Sequence, residues 1–177
     1  MGLYAGEQIS VRNLLYGLLI NSGNDAATAL AEHNAGSETA FIEKMNTLAD
    51  KFGLHNTHYK NTTGLDASGS YSTARDLATL STHLLQDESV REMVSQSTIT
   101  VTSETGDAHE LINTNILLGQ LGIKGFKTGT TPAAGECLIA LAENEQGHEI
   151  LSIVLGSKNR FADTKILVDW TYRAYVW

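Results

Sequence analysis

The stretch Ile123–Gly156, IKGFKTGTTPAAGECLIALAENEQGHEILSIVLG, decides the fold. It breaks into three strand-like runs, Ile123 to Thr130, Glu136 to Glu143 and His148 to Gly156, with Asn144 to Gly147 as a tight connection between the last two. The second and third runs are apolar on both faces, which predicts strands in the middle of a sheet with helices on each side. Upstream, Thr98 to Thr102 alternates β-branched residues, and Gly106-Asp107 turns the chain before Glu110, so a hairpin is expected there. Downstream, a closing helix begins near Phe161 and places Ile166, Trp170, Ala174 and Trp177 on one face.

Further upstream the period changes to that of helices. Ser10 is an N-cap for a helix carrying Val11, Leu14, Leu15, Leu18 and Leu19 and ending near Asn21. Ser22-Gly23-Asn24 interrupts it, and a second helix runs from about Asp25 to Ala35 and stops at Gly36. Ser37 caps a third, whose apolar positions are Phe41, Met45, Leu48, Ala49 and Phe52. Leu54 to Tyr71 has no period and reads as an ordered surface loop. Thr73 and Asp76 form a capping box for a helix with Leu77, Leu80 and Leu84, and Ser89 to Val94 adds a short helical turn. Helices first, then an antiparallel sheet and a terminal helix, make an α+β domain over 1–177, mainly helical over 10–95 and mainly sheet over 97–177.

The 177 residues are 42% apolar and 18% charged, enough for a sizeable core without metal or disulfides. Cys137, flanked by apolar residues, reads as a small core residue. Twelve basic against twenty acidic residues leave a net charge of -8, the wrong sign for holding nucleic acid by its phosphates. Leu14 to Ile20 is too short to span a bilayer, and no signal segment precedes it. His55 and His58 lie in a loop-like stretch with no third ligand at metal spacing, so neither metal nor cofactor is expected.

Two short motifs could carry chemistry. Lys127-Thr128-Gly129-Thr130 ends a strand, where an ammonium and hydroxyls face a cleft and a glycine lets another backbone approach. It is not a phosphate loop, because Phe126 precedes the lysine. Ser22-Gly23-Asn24 presents a hydroxyl and a carboxamide at a helix joint, where capping is the commoner role.

Together with Phe52-Gly53-Leu54, Asn56-Thr57, Gly64-Leu65-Asp66, Tyr71-Ser72-Thr73-Ala74-Arg75-Asp76 and Val154-Leu155-Gly156, these motifs resemble a serine-type D-alanyl-D-alanine carboxypeptidase, one of the low-molecular-mass penicillin-binding proteins. The resemblance runs from about Gly6 to Trp170. It implies a β-lactamase/transpeptidase-like fold and three motifs, S-x-x-K, S-x-N and K-T-G. No serine from Ser10 to Ser157 has a lysine three positions later, and Thr57-His58-Tyr59-Lys60 falls after S-x-N, out of order. The expectation is therefore a truncated chain, with the first strands and the nucleophile helix missing, inactive alone. A non-catalytic module of the same fold, binding cell-wall peptide or a partner, and a class A β-lactamase-like hydrolase are the alternatives. For the last, Gly23 stands where aspartate is usual, and Glu110 with Asn113 lies too close to Lys127.

The resemblance implies roles residue by residue. Ser22 and Lys127 would pass the proton to the leaving group, Asn24 would hold the substrate amide, and the backbone N–H of Thr130 would be an oxyanion donor. Thr128 and Thr130 hydroxyls, Gly129 and Arg160 would bind the terminal carboxylate end. The implied partners are peptidoglycan stem peptides ending in D-Ala-D-Ala, and β-lactams for the intact enzyme. An extracytoplasmic bacterial location is implied too, although this chain shows no signal or anchor. Without the first strands, the run 148–156 is expected to be an exposed edge through which the chain self-associates.

Overall fold

Ser10 opens the first helix as expected, its Oγ accepting from Asn13 N at 3.2 Å. The computed structural model describes all residues from Met1 to Trp177. Five helices come first: α1 (Val11–Asn21), α2 (Asn24–Ala35), α3 (Glu38–Lys51), α4 (Ala74–Leu84) and α5 (Glu88–Val94). A hairpin, β1 (Thr98–Thr102) with β2 (Ala108–Ile112), precedes the strands β3 (Ile123–Thr131), β4 (Gly135–Glu143) and β5 (Glu149–Ser157), and α6 (Arg160–Ala174) closes the chain. The class is α+β.

The strands β3, β4 and β5 form one antiparallel sheet in that order, with Lys127 opposite Ile139 and Gly129 opposite Cys137. Between the pairs Glu136–Ser157 and Leu138–Val154 the register shifts, and there Gly156 adopts φ 64, a left-handed conformation that glycine takes without a Cβ clash. One sheet face packs through Leu138, Ala140 and Ala142 with Val168 of α6. Leu141, with partly buried Ile139 and Leu151, packs with Leu85 and with Val94 of α5. Only β4 is central. The run 148–156 is an edge strand paired with β4 alone, as expected for a chain without the first strands, although its apolar pattern on both faces by itself predicts an interior strand.

The closing helix corrects a second expectation. It buries Thr164 and Val168 and packs Phe161 and Tyr172 against the sheet, while Ile166 and Trp170 stay more than half exposed. The buried face of a helix is chosen by what covers it, and the small side chains of β4 cover the 164/168 stripe. On α3, likewise, only Ala49 of the expected apolar positions is fully buried.

The hairpin does not join the sheet. Val101 and Leu111 pack with Tyr16 and Ile20 of α1 and Met93 of α5, so it belongs physically with the helices. Burial of Ile20 and Leu111 to 0% exposure is worth about 1.5–3 kcal/mol for each side chain and fixes the end of α1 in space. The loop between α3 and α4 is held by side chains. Asn46 exchanges hydrogen bonds with the Tyr59 backbone, Glu38 accepts from Thr62, and the Asp76 carboxylate accepts from Asn56 N and Thr57 Oγ1. Thus Thr73 caps α4 through Asp76 N, but the Asp76 side chain serves the loop, and the capping box is only half made.

Candidate active site

The joint between α1 and α2 is strained where the serine sits. Ser22 is the C-cap of α1 at φ 53 and ψ 41, a left-handed conformation rare for a residue with a side chain. Such conformations persist where the surroundings impose them and gather at functional sites. At Gly23 the space is tight: a Cβ there would lie 2.9 Å from Asp25 Oδ1 and 3.3 Å from Gly17 O, so a side chain would force the Asp25 carboxylate to shift. This bend leaves Asn24 exposed at the first turn of α2, with no hydrogen bond from its carboxamide.

Behind the bend, Asp25 ties down the N-terminal segment. Its carboxylate accepts from Gly2 N at 2.7 Å, Leu3 N at 2.9 Å and Ala26 N at 2.9 Å. Burial alone would raise its pKa, but these backbone donors, with the amino terminus, outweigh burial and hold it at about 2. The same segment is gripped by Glu7, 1% exposed, whose Oε1 meets His109 Nε2 at 2.5 Å.

Across the gap, β3 delivers Lys127. Its ammonium lies against the Ser22 hydroxyl and donates to Thr128 O at 2.7 Å. Half-buried, and near the positive Arg160, Lys127 has its pKa pulled down from 10.5 to about 8, burial being the larger cause. Strand β3 is itself an edge, so the main-chain groups on its outer side are free to meet an extended chain. At its end Arg160, the first residue of α6, donates to Gly129 O at 2.9 Å and to Thr130 Oγ1, and its Nε has no partner. Phe161 supports the guanidinium at 4.8 Å from its ring centroid.

The structure therefore brings together Ser22 and Lys127, and separately Gly129, Thr130 and Arg160, along one strand. Thr128 points elsewhere. It is buried, and its hydroxyl is 2.5 Å from that of Thr114, away from the open edge. Cys137 is half-buried rather than core, with Sγ 3.6 Å from Ala134 O, opposite Gly129. Glu110 is exposed on β2 and Asn113 is buried in backbone hydrogen bonds, so that pair takes no part in the site. Thr57 is committed to Asp76 and Ser72.

A cleft of about 630 Å³ lies one residue further along β3, between the 58–72 loop and Thr131, Ala133 and Ala134. Asp66 clasps the two walls, accepting from Thr131 Oγ1 at 2.5 Å and Ala133 N at 3.1 Å. This clasp is not legible from local sequence, since an aspartate in a loop gives no sign of a partner 65 residues away.

The family described as D-alanyl-D-alanine carboxypeptidase matches residues 1–159. The chain belongs to the D-alanyl-D-alanine carboxypeptidase family. This carboxypeptidase-family chain is 39% identical over 180 residues to D-alanyl-D-alanine carboxypeptidase DacC of Escherichia coli (strain K12), covering 99% of the chain and 44% of that protein. To DacF of Bacillus subtilis (strain 168) it is 38% identical, over 98% of the chain and 45% of the relative. It thus spans less than half the length of either relative. Among solved structures it is similar to the Streptomyces K15 DD-transpeptidase, with TM-score 0.89 and 34% identity over 97% of the chain and 71% of the other. Penicillin-binding protein D2 from Listeria monocytogenes, solved in a cefotaxime-bound form, is also similar, with TM-score 0.80, 34% identity and coverage of 97% and 74%. Within this chain, Ser22-Gly23-Asn24 lies at the strained joint and Lys127-Thr128-Gly129 on the β3 edge.

Proposed function

We propose that residues 1–177 form the S-x-N and K-T-G walls of a serine D-Ala-D-Ala carboxypeptidase site, which removes the terminal D-alanine from peptidoglycan stem peptides outside the cytoplasmic membrane. The observation that carries this reading is the Lys127 ammonium against the Ser22 hydroxyl at an open strand edge, with Arg160 at the end of the strand. A stem peptide is extended and ends in a carboxylate. Main-chain bonding along β3 suits the first property, and the guanidinium beside Thr130 suits the second.

In this reading the peptide lies along β3 past Gly129, its carboxylate between Thr130 Oγ1 and Arg160, and Asn24 bonds a peptide group from the facing wall. The Thr130 N–H is one oxyanion donor. Thr128, its hydroxyl engaged by Thr114, leaves the carboxylate to Thr130 and Arg160. In acylation a serine hydroxyl gives its proton to the lysine of its own S-x-x-K motif as its oxygen bonds the carbonyl carbon, the C–N bond to D-alanine breaks, and the leaving nitrogen takes a proton through Ser22 from Lys127. A pKa near 8 keeps that proton available at neutral pH and easily returned. Water then hydrolyses the ester. The attacking serine and its lysine are not among residues 1–177, so this step needs an S-x-x-K pair presented to the cleft.

Titration of the isotope-labelled chain with an acylated peptide ending in D-Ala-D-Ala tests the reading. Shifts are expected at Asn24, Lys127, Thr130 and Arg160 and are lost when the terminal carboxylate is amidated. No change at these residues sinks it. Incubation with a fluorescent penicillin is expected to leave the intact mass unchanged, and a stoichiometric adduct on any serine would overturn the assignment of the nucleophile to another segment. A non-catalytic peptide-binding module of the same fold is the second reading. An in-frame S-x-x-K in the gene upstream of Met1 decides for the enzyme.

The partner proposed for the chain as it stands is a second copy. The outer edge of β5 is unpaired, and Leu155, Ile166 and Leu167 are exposed beside it.

A further inference from the structure

Beneath the Ser22–Lys127 contact runs a second tie between the same two elements. Thr114 lies in the connection between β2 and β3, half-buried. Its N–H donates to Ile20 O at 3.2 Å, its hydroxyl is 3.5 Å from that same oxygen, and the hydroxyls of Thr114 and Thr128 are 2.5 Å apart. Ile20 is two residues before Ser22, and Thr128 is next to Lys127. Ile20 O belongs to the last turn of α1, where carbonyls lack partners within the helix, so Thr114 caps it from outside.

In the Thr114–Thr128 contact either hydroxyl can donate; with the Thr128 proton on the Thr114 oxygen, the Thr114 proton is left for Ile20 O. Thr114 is also held firmly. On one side Asn113 donates to Val94 O at 3.3 Å and Gln96 O at 2.9 Å, and its Oδ1 accepts from Asn115 N at 2.8 Å. On the other, Asn115 Oδ1 accepts from Leu117 N at 3.1 Å. Two buried asparagines thus clamp the backbone on each side of a threonine that touches both motif-bearing elements.

We propose that Thr114 is a positioning residue which sets the gap between Ser22 and Lys127 by pinning the end of α1 to β3. This rests on the reading of Ser22 and Lys127 as facing the reacting groups. The need for such a pin is physical. Ser22 sits in a left-handed conformation held locally only by the cap bonds of Ser22 and Gly23 N–H to Gly17 O, and its contact with Lys127 must loosen whenever the proton moves. A tie that takes no part in proton transfer holds the spacing while the other changes.

The test uses the 177-residue chain with lysines labelled at Cε, following the Lys127 resonance against pH. Thr114→Val keeps the shape and removes the hydroxyl, while Thr114→Ser keeps the hydroxyl. Loss of the pin lets water reach the ammonium, so Thr114→Val is expected to raise the Lys127 midpoint by about half a pH unit or more toward the ordinary lysine value, with Thr114→Ser within about 0.2 of the parent. Thr128→Val removes the same hydrogen bond from the other side and is expected to reproduce the shift, with the double variant adding nothing further. An unchanged midpoint in Thr114→Val overturns the proposal. Should that variant fail to fold, Thr128→Val decides in the same two ways. The midpoint reads geometry without any peptide, so a chain that ignores D-Ala-D-Ala peptides yet shows the shift keeps the pin and loses the functional reading.

Discussion

At the scale of single residues, Ser22 and Lys127 are both held in states they would not choose alone. A left-handed serine costs about 1 kcal/mol relative to glycine there. Ser22→Gly is therefore expected to raise the unfolding free energy by about 0.5–1 kcal/mol in denaturant melts while weakening the response to D-Ala-D-Ala peptide. For Lys127, the folded pKa of about 8 lies below the unfolded value of 10.5. Between these values the unfolded chain binds more protons, so stability rises with pH across that window and is flat, at its lower level, below it. The rise is expected to be about 1 kcal/mol, less than the full shift implies because the ammonium is partly solvated, and Lys127→Met should remove it. Equal pH slopes for parent and variant would show that another group is responsible. The sequence gives the serine and lysine through their motifs, but not their costs. The first arises from the Ser22 Cβ in the left-handed region and the second from burial of Lys127 beside Arg160, which no local pattern encodes.

At the scale of elements, periodicity located every helix and strand to within a few residues, because caps such as Ser10, Ser37 and Thr73 and turns such as Gly106-Asp107 act locally. What it could not locate was which side of an element meets a neighbour. Along α6 two stripes compete, the apolar Ile166/Trp170 and the smaller Thr164/Val168, and the small residues of β4 select the second. Val168→Ala is expected to cost about 2 kcal/mol, and Ile166→Ser to stay within about 0.5 kcal/mol, in thermal or denaturant melts. The reverse ranking would mean that α6 docks by its aromatic stripe. The Asp66 clasp was likewise illegible, since it joins a loop to a turn through one carboxylate. Asp66→Ala should free both walls of the neighbouring cleft, seen as faster amide exchange at Ala133 and Ala134, with little change in global stability.

For the whole molecule, two features follow from where the strands stop. The outer edge of β5 carries unpaired main-chain groups beside apolar side chains, and natural proteins seldom leave such an edge open. At micromolar concentration the chain is expected to scatter light as a dimer or larger species, and Leu155→Lys, on the exposed side, to return it toward a monomer. A clean monomer for the parent chain would refute this edge argument. The other feature is the solitary Cys137. Directly opposed residues in an antiparallel pair share a face, and so do residues two apart on one strand, which puts the sulfur on the same side of the sheet as Gly129 and Lys127. Nature has in effect left a single addressable anchor point beside the groove: a fluorophore or spin label attached there would have one location per molecule and would sense a peptide settling along the adjacent strand, without any competing thiol to be removed first.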